Sequence, residues 1–248
     1  MSTERDLDAK TKLLLMTNLF NLGDNLYPGR GFVIGRNDEG KMVQVYWIMG
    51  RSENSKNRVF SHKGGRIFTG PADPSKVTDP SLIIYNAMDE NTDEKFFVVS
   101  NGSQTDAVVT ESANQNLCNI LHDLKYEPDS PNFTPRITGV CRLGEWPMFE
   151  IAILRKSNMR DLTDRFYFQY DDIENGTGRC ITTYTGDDNP LPAFIGEPCL
   201  VPLSGSAKEI ALIYSFQLNK DYLVSIAVKI IHEDKPSEVF IKNRFSKL

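Results

Sequence analysis

Apolar residues follow two rhythms along this chain. The first is helical: Leu7, Leu13, Leu14, Leu15, Leu19, Phe20 and Leu22 recur at mostly helical steps and predict an amphipathic helix over residues 5–22, closed at Gly23-Asp24. The second is a series of short apolar runs cut by turn residues, the pattern of strands joined as hairpins. Gly31-Phe32-Val33-Ile34-Gly35 and Val43 to Met49 flank Asn37-Asp38-Glu39-Gly40, and Val59-Phe60 and Arg66-Ile67-Phe68 predict two short strands. Leu82 to Met88 and Phe96 to Val99 pair across Asp89 to Glu94, and Ile137 to Arg142 pairs with Met148 to Arg155 across Leu143 to Pro147. Phe166 to Tyr170, Gly178 to Tyr184, Tyr222 to Ile231 and Val239 to Ile241 continue the β pattern. Helical spacing returns from Thr105, through Ala107, Val108, Val109, Ala113, Leu117, Ile120, Leu121 and Leu124, and again from Ser206 to Leu218. About nine or ten strands with only two main internal helices cannot supply the crossovers of a doubly wound parallel sheet. The expected class is α+β, with mainly antiparallel sheets and helices covering two packed sheets.

Composition narrows the partners. A chain of 248 residues with 40% hydrophobic content buries a substantial core and reads as a single domain. Charged residues make up 25%, the net charge is −5 and no block of like charge occurs, which argues against a nucleic-acid surface. Cys118, Cys141, Cys180 and Cys199 show no CxxC spacing and stand far from His62, His122 and His232, so no metal site is expected and the cysteines read as free thiols in a reducing compartment. Leu13-Leu14-Leu15-Met16 is too short for a signal or a membrane span, which points to a cytoplasmic protein with no membrane partner.

Three stretches carry candidate chemistry. Ser100-Asn101-Gly102-Ser103-Gln104-Thr105-Asp106 lies where a strand turns into a helix. Such a turn exposes backbone N–H groups and small polar side chains, as in anion and nucleotide sites, and equally in any capped turn. The loop from Gly50 to Arg58 follows a strongly apolar strand and is framed by Arg51 and Arg58. Guanidinium forks suit phosphate or carboxylate, so this loop is either a substrate clamp or a solvated surface. Tyr126 to Arg136 holds Glu127, Asp129 and Arg136 among three prolines, a stiffened loop that fits a site or a plain helix-to-strand crossing. The long Gly/Pro-rich loop from Thr185 to Pro198 is of a length that is often functional. Tyr85 reads as a core tyrosine or as one pointed at a site.

Tyr27-Pro28-Gly29-Arg30 with Gly35 and Gly40, Arg51-Ser52 with Asn57-Arg58, Tyr85-Asn86, Ser100 to Asp106, and Tyr126-Glu127 leading to Thr134-Pro135-Arg136-Ile137 occur in an order and spacing that resemble the archaeal-type IMP cyclohydrolase family. The resemblance is dense over residues 27–142, and Thr182 to Pro198 is similar to longer bacterial members. It implies a four-layer αββα sandwich similar to N-terminal-nucleophile hydrolases. No Ser, Thr or Cys stands where self-processing would expose a nucleophile before the first core strand. It also implies one domain over residues 1–248, with 1–26 as an N-terminal extension that is a packing helix, an oligomer contact or a lid; a homo-oligomer is compatible with it.

The activity implied is dehydrative ring closure of 5-formamidoimidazole-4-carboxamide ribonucleotide to IMP, on a small purine-nucleotide substrate, with no cofactor. By the resemblance Arg51, Tyr85 and Glu127 are catalytic: Arg51 binds and polarises, and Tyr85 and Glu127 move protons or hold the amide. Arg58 and the backbone around Gly102 are phosphate or ribose contacts, with Asn101, Thr105, Asp106 and Arg136 completing the substrate-binding set. The Arg51 to Arg58 loop is longer than the archaeal pattern. Two rivals stand beside this reading: a purine-nucleotide-binding module without ring closure, and an amide hydrolase of the same fold, for which no Ser-His or Cys-His arrangement is evident.

Overall fold

The computed structural model describes residues 7–77, 80, 83–111, 115–144 and 148–245. Helix α1 (Ala9–Asp24) begins at Asp8, whose carboxylate accepts from the Thr11 N–H at 2.8 Å and satisfies one of the free donors of the first turn. Strands β1 (Gly31–Arg36) and β2 (Met42–Met49) follow, then a helical turn α2 (Glu53–Lys56) and strands β3 (Val59–Lys63) and β4 (Arg66–Gly70). A 3-10 turn at Pro74–Lys76 leads to β5 (Asn86–Asn91) and β6 (Phe96–Ser100), which delivers the chain into α3 (Gln104–Glu111) and the short α4 (Leu117–Ile120). The chain then runs through β7 (Arg136–Arg142), β8 (Phe149–Lys156), β9 (Thr163–Tyr170), β10 (Thr177–Thr182) and β11 (Cys199–Pro202). It closes with α5 (Ala207–Gln217), β12 (Leu223–Ile230) and β13 (Glu238–Asn243).

Among the described residues the strands form two sheets, one in the order β11-β10-β1-β2-β12-β13 and the other β3-β4-β5-β6-β7-β8-β9, and all neighbouring named strands pair antiparallel. The inner faces meet each other. Phe32, Ile34, Tyr46 and Ile48 of the first sheet pack with Ile67, Val99, Ile137 and Ile151 of the second. Gly139 permits this approach, since a Cβ there would stand 2.6 Å from the Phe32 ring. The outer face of the first sheet (Val33, Val45, Trp47, Val228) is covered by Leu19 and Leu22 of α1 and Ile210 and Tyr214 of α5. On the second sheet, Phe96, Val98, Val140 and Ala152 are covered by Val108, Leu117 and Leu121. Because both faces of the central strands are buried, their sequences read as unbroken apolar runs; β2 is buried at every position. Among the described residues no helix is long and apolar enough to cross a membrane.

The structure departs from the sequence expectation in instructive places. The helix expected through Leu124 is broken: α3 stops at Glu111, and Asn116 caps a separate α4 by accepting from the Asn119 N–H at 2.9 Å. An Asn side chain that bonds local backbone competes with helix continuation, so apolar periodicity alone overruns the break; Ala113, counted into that helix, lies outside the described residues. The strand expected from Leu82 starts at Asn86, because the N–H groups of Ile83 and Ile84 donate to Pro80 in a turn; Leu82 lies outside the described residues, as do Glu145, Trp146 and Pro147 of the turn expected before β8. Asp89 and Glu90, read as turn residues, are in β5 and pair with Val98 and Phe97. Edge strand β11, hidden behind the Gly/Pro-rich loop, was not expected. Leu13 and Phe20 of α1 remain 68% and 56% exposed, so only the narrow Leu15, Leu19, Leu22 stripe is buried.

At one point the sheets are pinned by charge. The Lys229 ammonium on β12, with no exposed side-chain surface, pairs with Glu90 on β5 and donates to the Gly65 carbonyl at 2.7 Å. Burial pulls the Lys229 pKa below its ordinary value, against the opposing pull of Glu90. Glu90→Ala removes the counter-charge and is expected to cost about 3–5 kcal/mol in urea unfolding, whereas Glu90→Leu combined with Lys229→Met restores most of the loss.

Candidate active site

The loops at one end of the sheets enclose a cavity of about 310 Å³. Its wall includes Tyr27, Arg30, Arg51, Arg58, Glu127 and Tyr184, which come from four separated segments.

Arg30 enters through a turn that its sequence dictates. Gly29 has φ 71°, and a Cβ there would fall 2.3 Å from the Thr183 hydroxyl, so glycine is required on both counts. The Arg30 N–H donates to the Thr183 hydroxyl at 3.1 Å, and its carbonyl accepts from the Thr183 N–H at 2.8 Å. The guanidinium Nη1 then donates to the Asn101 carbonyl at 2.9 Å and lies 3.5 Å from Glu127 Oε1. Arg136 Nη1 stands 3.5 Å from the same oxygen and donates to Gln104 Oε1 at 2.9 Å. Glu127 is thus a buried carboxylate between two guanidinium groups. Burial acts most strongly on Arg30 and disfavours its charge, but Glu127 together with Tyr85, Tyr46 and Tyr184 outweighs it and lifts the Arg30 pKa above its ordinary value. Arg136 goes the other way, lowered by burial in spite of Glu127.

Arg58 is buried but has a different set of partners. Its Nε donates to the Ser55 carbonyl at 2.8 Å and its Nη2 to the Met49 carbonyl at 3.1 Å. Among the described residues no carboxylate pairs with it. Burial lowers its pKa, and the nearby Arg30 charge pushes the same way. A buried cation satisfied by carbonyl dipoles alone and facing a cavity keeps its positive charge uncompensated and can dock an anion. Arg51 is half-exposed at the rim. It lies over the Tyr27 ring at 5.1 Å and pairs with Asp187 at 2.7 Å, joining the 50–58 loop to the 185–198 loop.

Behind the wall, the Tyr85 hydroxyl meets the Tyr46 hydroxyl at 2.7 Å, and both tyrosines are buried. Burial raises Tyr46 well above the ordinary tyrosine range. Tyr184 is pushed up to about 12, chiefly by burial, and shares a hydrogen bond with the Thr134 hydroxyl.

Of the nine positions singled out from sequence, Arg51, Arg58 and Glu127 line the cavity. Arg136 reaches it through Glu127, and Tyr85 stands behind the wall against Tyr46. Asn101 works inward: its amide donates to the Pro135 carbonyl at 2.8 Å and its oxygen accepts from the Ile137 N–H at 2.9 Å, which fixes the start of β7. Gly102 is buried against Arg136, Gln104 and Glu127, where a Cβ would come 2.6 Å from Arg136 Nη1. The Thr105 hydroxyl bonds Ser100 at 2.6 Å. Asp106 is exposed, accepts from Asn86 at 2.6 Å and is not part of the cavity wall. The Ser100 to Asp106 stretch is therefore the support of the site, with Arg30 held on the Asn101 carbonyl.

Arg30, Tyr27, Tyr46 and Tyr184 were given no role from sequence. The signal for Arg30 was available, since a lone arginine between Pro28-Gly29 and an apolar strand has little prospect of reaching solvent. Tyr27 stands in the same motif as Arg30, and Tyr46 and Tyr184 lie in the strand runs Val43 to Met49 and Gly178 to Tyr184. No group of three or more His, Cys, Asp or Glu side chains arranged to hold a metal ion occurs among the described residues.

A family model described as IMP cyclohydrolase-like protein matches residues 27–235. The chain is 29% identical over 118 residues to the IMP cyclohydrolase of Methanopyrus kandleri, covering 46% of this chain and 57% of that protein. It is 26% identical over 216 residues to the IMP cyclohydrolase of Methanocaldococcus jannaschii, covering 84% of this chain and 96% of that protein.

Arg30→Met strips Glu127 of its most buried partner. Urea unfolding is expected to show a loss of about 3–5 kcal/mol, and a smaller one for Arg136→Met, whose side chain is more exposed.

Proposed function

This chain belongs to the IMP cyclohydrolase-like family, and we propose that its cavity closes the six-membered ring of 5-formamidoimidazole-4-carboxamide ribonucleotide to give IMP and water. The observation that carries this reading is the pairing, in one cavity, of a fixed carboxylate (Glu127) with a buried guanidinium (Arg58) that has only carbonyl partners. One group is placed to move a proton and the other to hold an anion. The relatives in Methanopyrus and Methanocaldococcus are named for the same activity.

Ring closure begins when the carboxamide nitrogen attacks the formyl carbon. A C–N bond forms, the nitrogen gives up one proton, and the formyl oxygen takes on negative charge and then a proton. In the second stage that hydroxyl leaves as water while the formamido nitrogen loses its hydrogen, completing the ring. Glu127 accepts the carboxamide proton. It is held against Arg30 and Arg136, so its position costs little reorganisation in the reaction. Arg30 and Arg51 offset the charge that develops on oxygen. The Tyr85–Tyr46 hydroxyl pair supplies the first proton there and is restored by the hydrogen that the formamido nitrogen loses, while Glu127 returns the carboxamide proton to the departing hydroxyl. Arg58 holds the phosphate. Asn101, Gly102 and Thr105 set the floor, with Arg136 positioning Glu127. The chemistry calls for no metal or cofactor.

In this reading the two sheets with their outer helices are the αββα sandwich similar to N-terminal-nucleophile hydrolases, as one domain in which residues 1–26 are an extension. The side chains that line the cavity also speak against an acyl-transfer hydrolase: Ser52 and Ser55 bond each other in the cap of α2, and among the described residues no histidine lines the wall.

Purified protein given the formamido ribonucleotide is expected to produce IMP absorbance without added metal or folate. Glu127→Gln and Tyr85→Phe are expected to lower kcat by about 10²–10⁴. Wild-type protein that shows no turnover, but whose Tm rises with IMP, would be a nucleotide-binding module instead.

The Arg58 assignment is read from a different parameter. Arg58→Ala is expected to raise KM about tenfold or more with little change in kcat, the signature of lost ground-state binding. An equal fall in kcat would move Arg58 into the chemical step.

A further inference from the structure

The 185–198 loop is carried by the hairpin of β10 and β11, and the last strand pair before it is Cys180 opposite Cys199. Directly opposed antiparallel residues have Cα atoms about 4.5–5.5 Å apart, inside the range of about 4.4–6.8 Å that a disulfide spans. The chain beyond is already folded back on itself: Phe194 N–H donates to the Thr183 carbonyl and Thr185 N–H to the Pro192 carbonyl, both at 3.0 Å. Joining the two sulfurs therefore demands no rearrangement of the loop.

The other cysteines are placed quite differently. Cys141 is buried in the core between the sheets and its thiol is pushed up to about 12 by burial, while Cys118 is exposed on α4. Cys180 is buried beneath α5, and Cys199 is half-exposed, within reach of a small oxidant. A thiol–thiol hydrogen bond lowers the Cys199 pKa from its ordinary value and raises that of Cys180. The accessible member is thus the better nucleophile.

We propose that Cys180 and Cys199 are a reversible redox pair, converted by a peroxide into a cross-strand disulfide that covalently closes the base of the loop bringing Leu191 to the cavity wall and Asp187 to Arg51. The Cys199 thiolate attacks a peroxide oxygen, the O–O bond breaks, and a sulfenic acid and hydroxide result. The Cys180 sulfur then attacks the Cys199 sulfur, the S–S bond forms, and the sulfenic oxygen leaves as water. Two thiols give up two electrons and two protons, and one peroxide becomes two waters. A dithiol reductant reverses the change. The bond traps the loop against the strands in the arrangement that pairs Asp187 with Arg51.

Cys199 is the one cysteine on the C-terminal side of Ile195, a residue that is 66% exposed in the loop. Full-length protein is treated with hydrogen peroxide, cut with thermolysin before Ile195, and separated without reductant. The C-terminal fragment is expected to stay attached in wild type and in Cys118→Ser, to be released by dithiothreitol, and to be free in Cys180→Ser and Cys199→Ser. Mass spectrometry of wild type alone is expected to show one peptide pair joining Cys180 to Cys199, with Cys118 still open to alkylation. Fragments that separate without reductant, a link that persists in Cys180→Ser, or covalent dimers through Cys199 would each overturn the proposal. None of these readouts depends on turnover.

Discussion

A carboxylate held between two guanidinium groups organises the polar end of this protein. Glu127 is buried, and its Oε1 faces Arg30 on one side and Arg136 on the other. A charge in that position is tolerable only because both partners are fixed by further bonds, Arg30 on the Asn101 carbonyl and Arg136 on Gln104 and the Lys125 carbonyl. Those bonds reach into three different elements. The start of β1, the turn after β6 and the start of β7 are therefore locked together by one network. Arg51 and Arg58 add two more cations around the same cavity, and of these Arg58 keeps its donors on carbonyl oxygens. The cavity wall in this way gathers three arginines around one buried carboxylate.

The two sheets supply the rigidity this network needs. Their inner faces interdigitate through Phe32, Tyr46, Val99 and Ile151, with Gly139 letting the sheets come close and Lys229–Glu90 tying them. Close-packed interiors transmit rather than absorb displacement. Strand ends are accordingly dependable places from which to hang loops, and the cavity wall includes segments that precede β1, follow β2, precede β7 and follow β10. Arg51 and Asp187 then join two of those loops across the mouth. The rim is the exposed and adjustable part of the site, while Glu127 and Arg58 sit deeper.

Much of this was legible in the chain, and the omissions have physical causes. Strands β1, β2, β6, β7 and β12 announced themselves because double burial requires continuous apolar runs, and α5 by the helical spacing from Ser206 to Leu218; the structure adds a capping box of Ser206 and Glu209 at its start. The break between α3 and α4 was missed because a side chain that caps locally looks, to a periodicity argument, like any polar position. Strand β11 was missed because four residues at an edge carry no rhythm. The ordered set of motifs led to Arg51, Arg58 and Glu127 at the cavity, but Arg30 was overlooked even though it stood inside one of those motifs.

The sequence alone determined the α+β class, the antiparallel pairing of consecutive strands and the stretches that carry polar chemistry, because each follows from local spacing and composition. It could not say which way those polar groups face. Asn101 bonds inward to Pro135 and Ile137, Asp106 turns away to Asn86, and Cys180 meets Cys199 across a loop of intervening residues. Orientation and pairing of that kind come from strand register and from which face of a sheet is covered. Both are long-range properties, decided only when distant segments share one core.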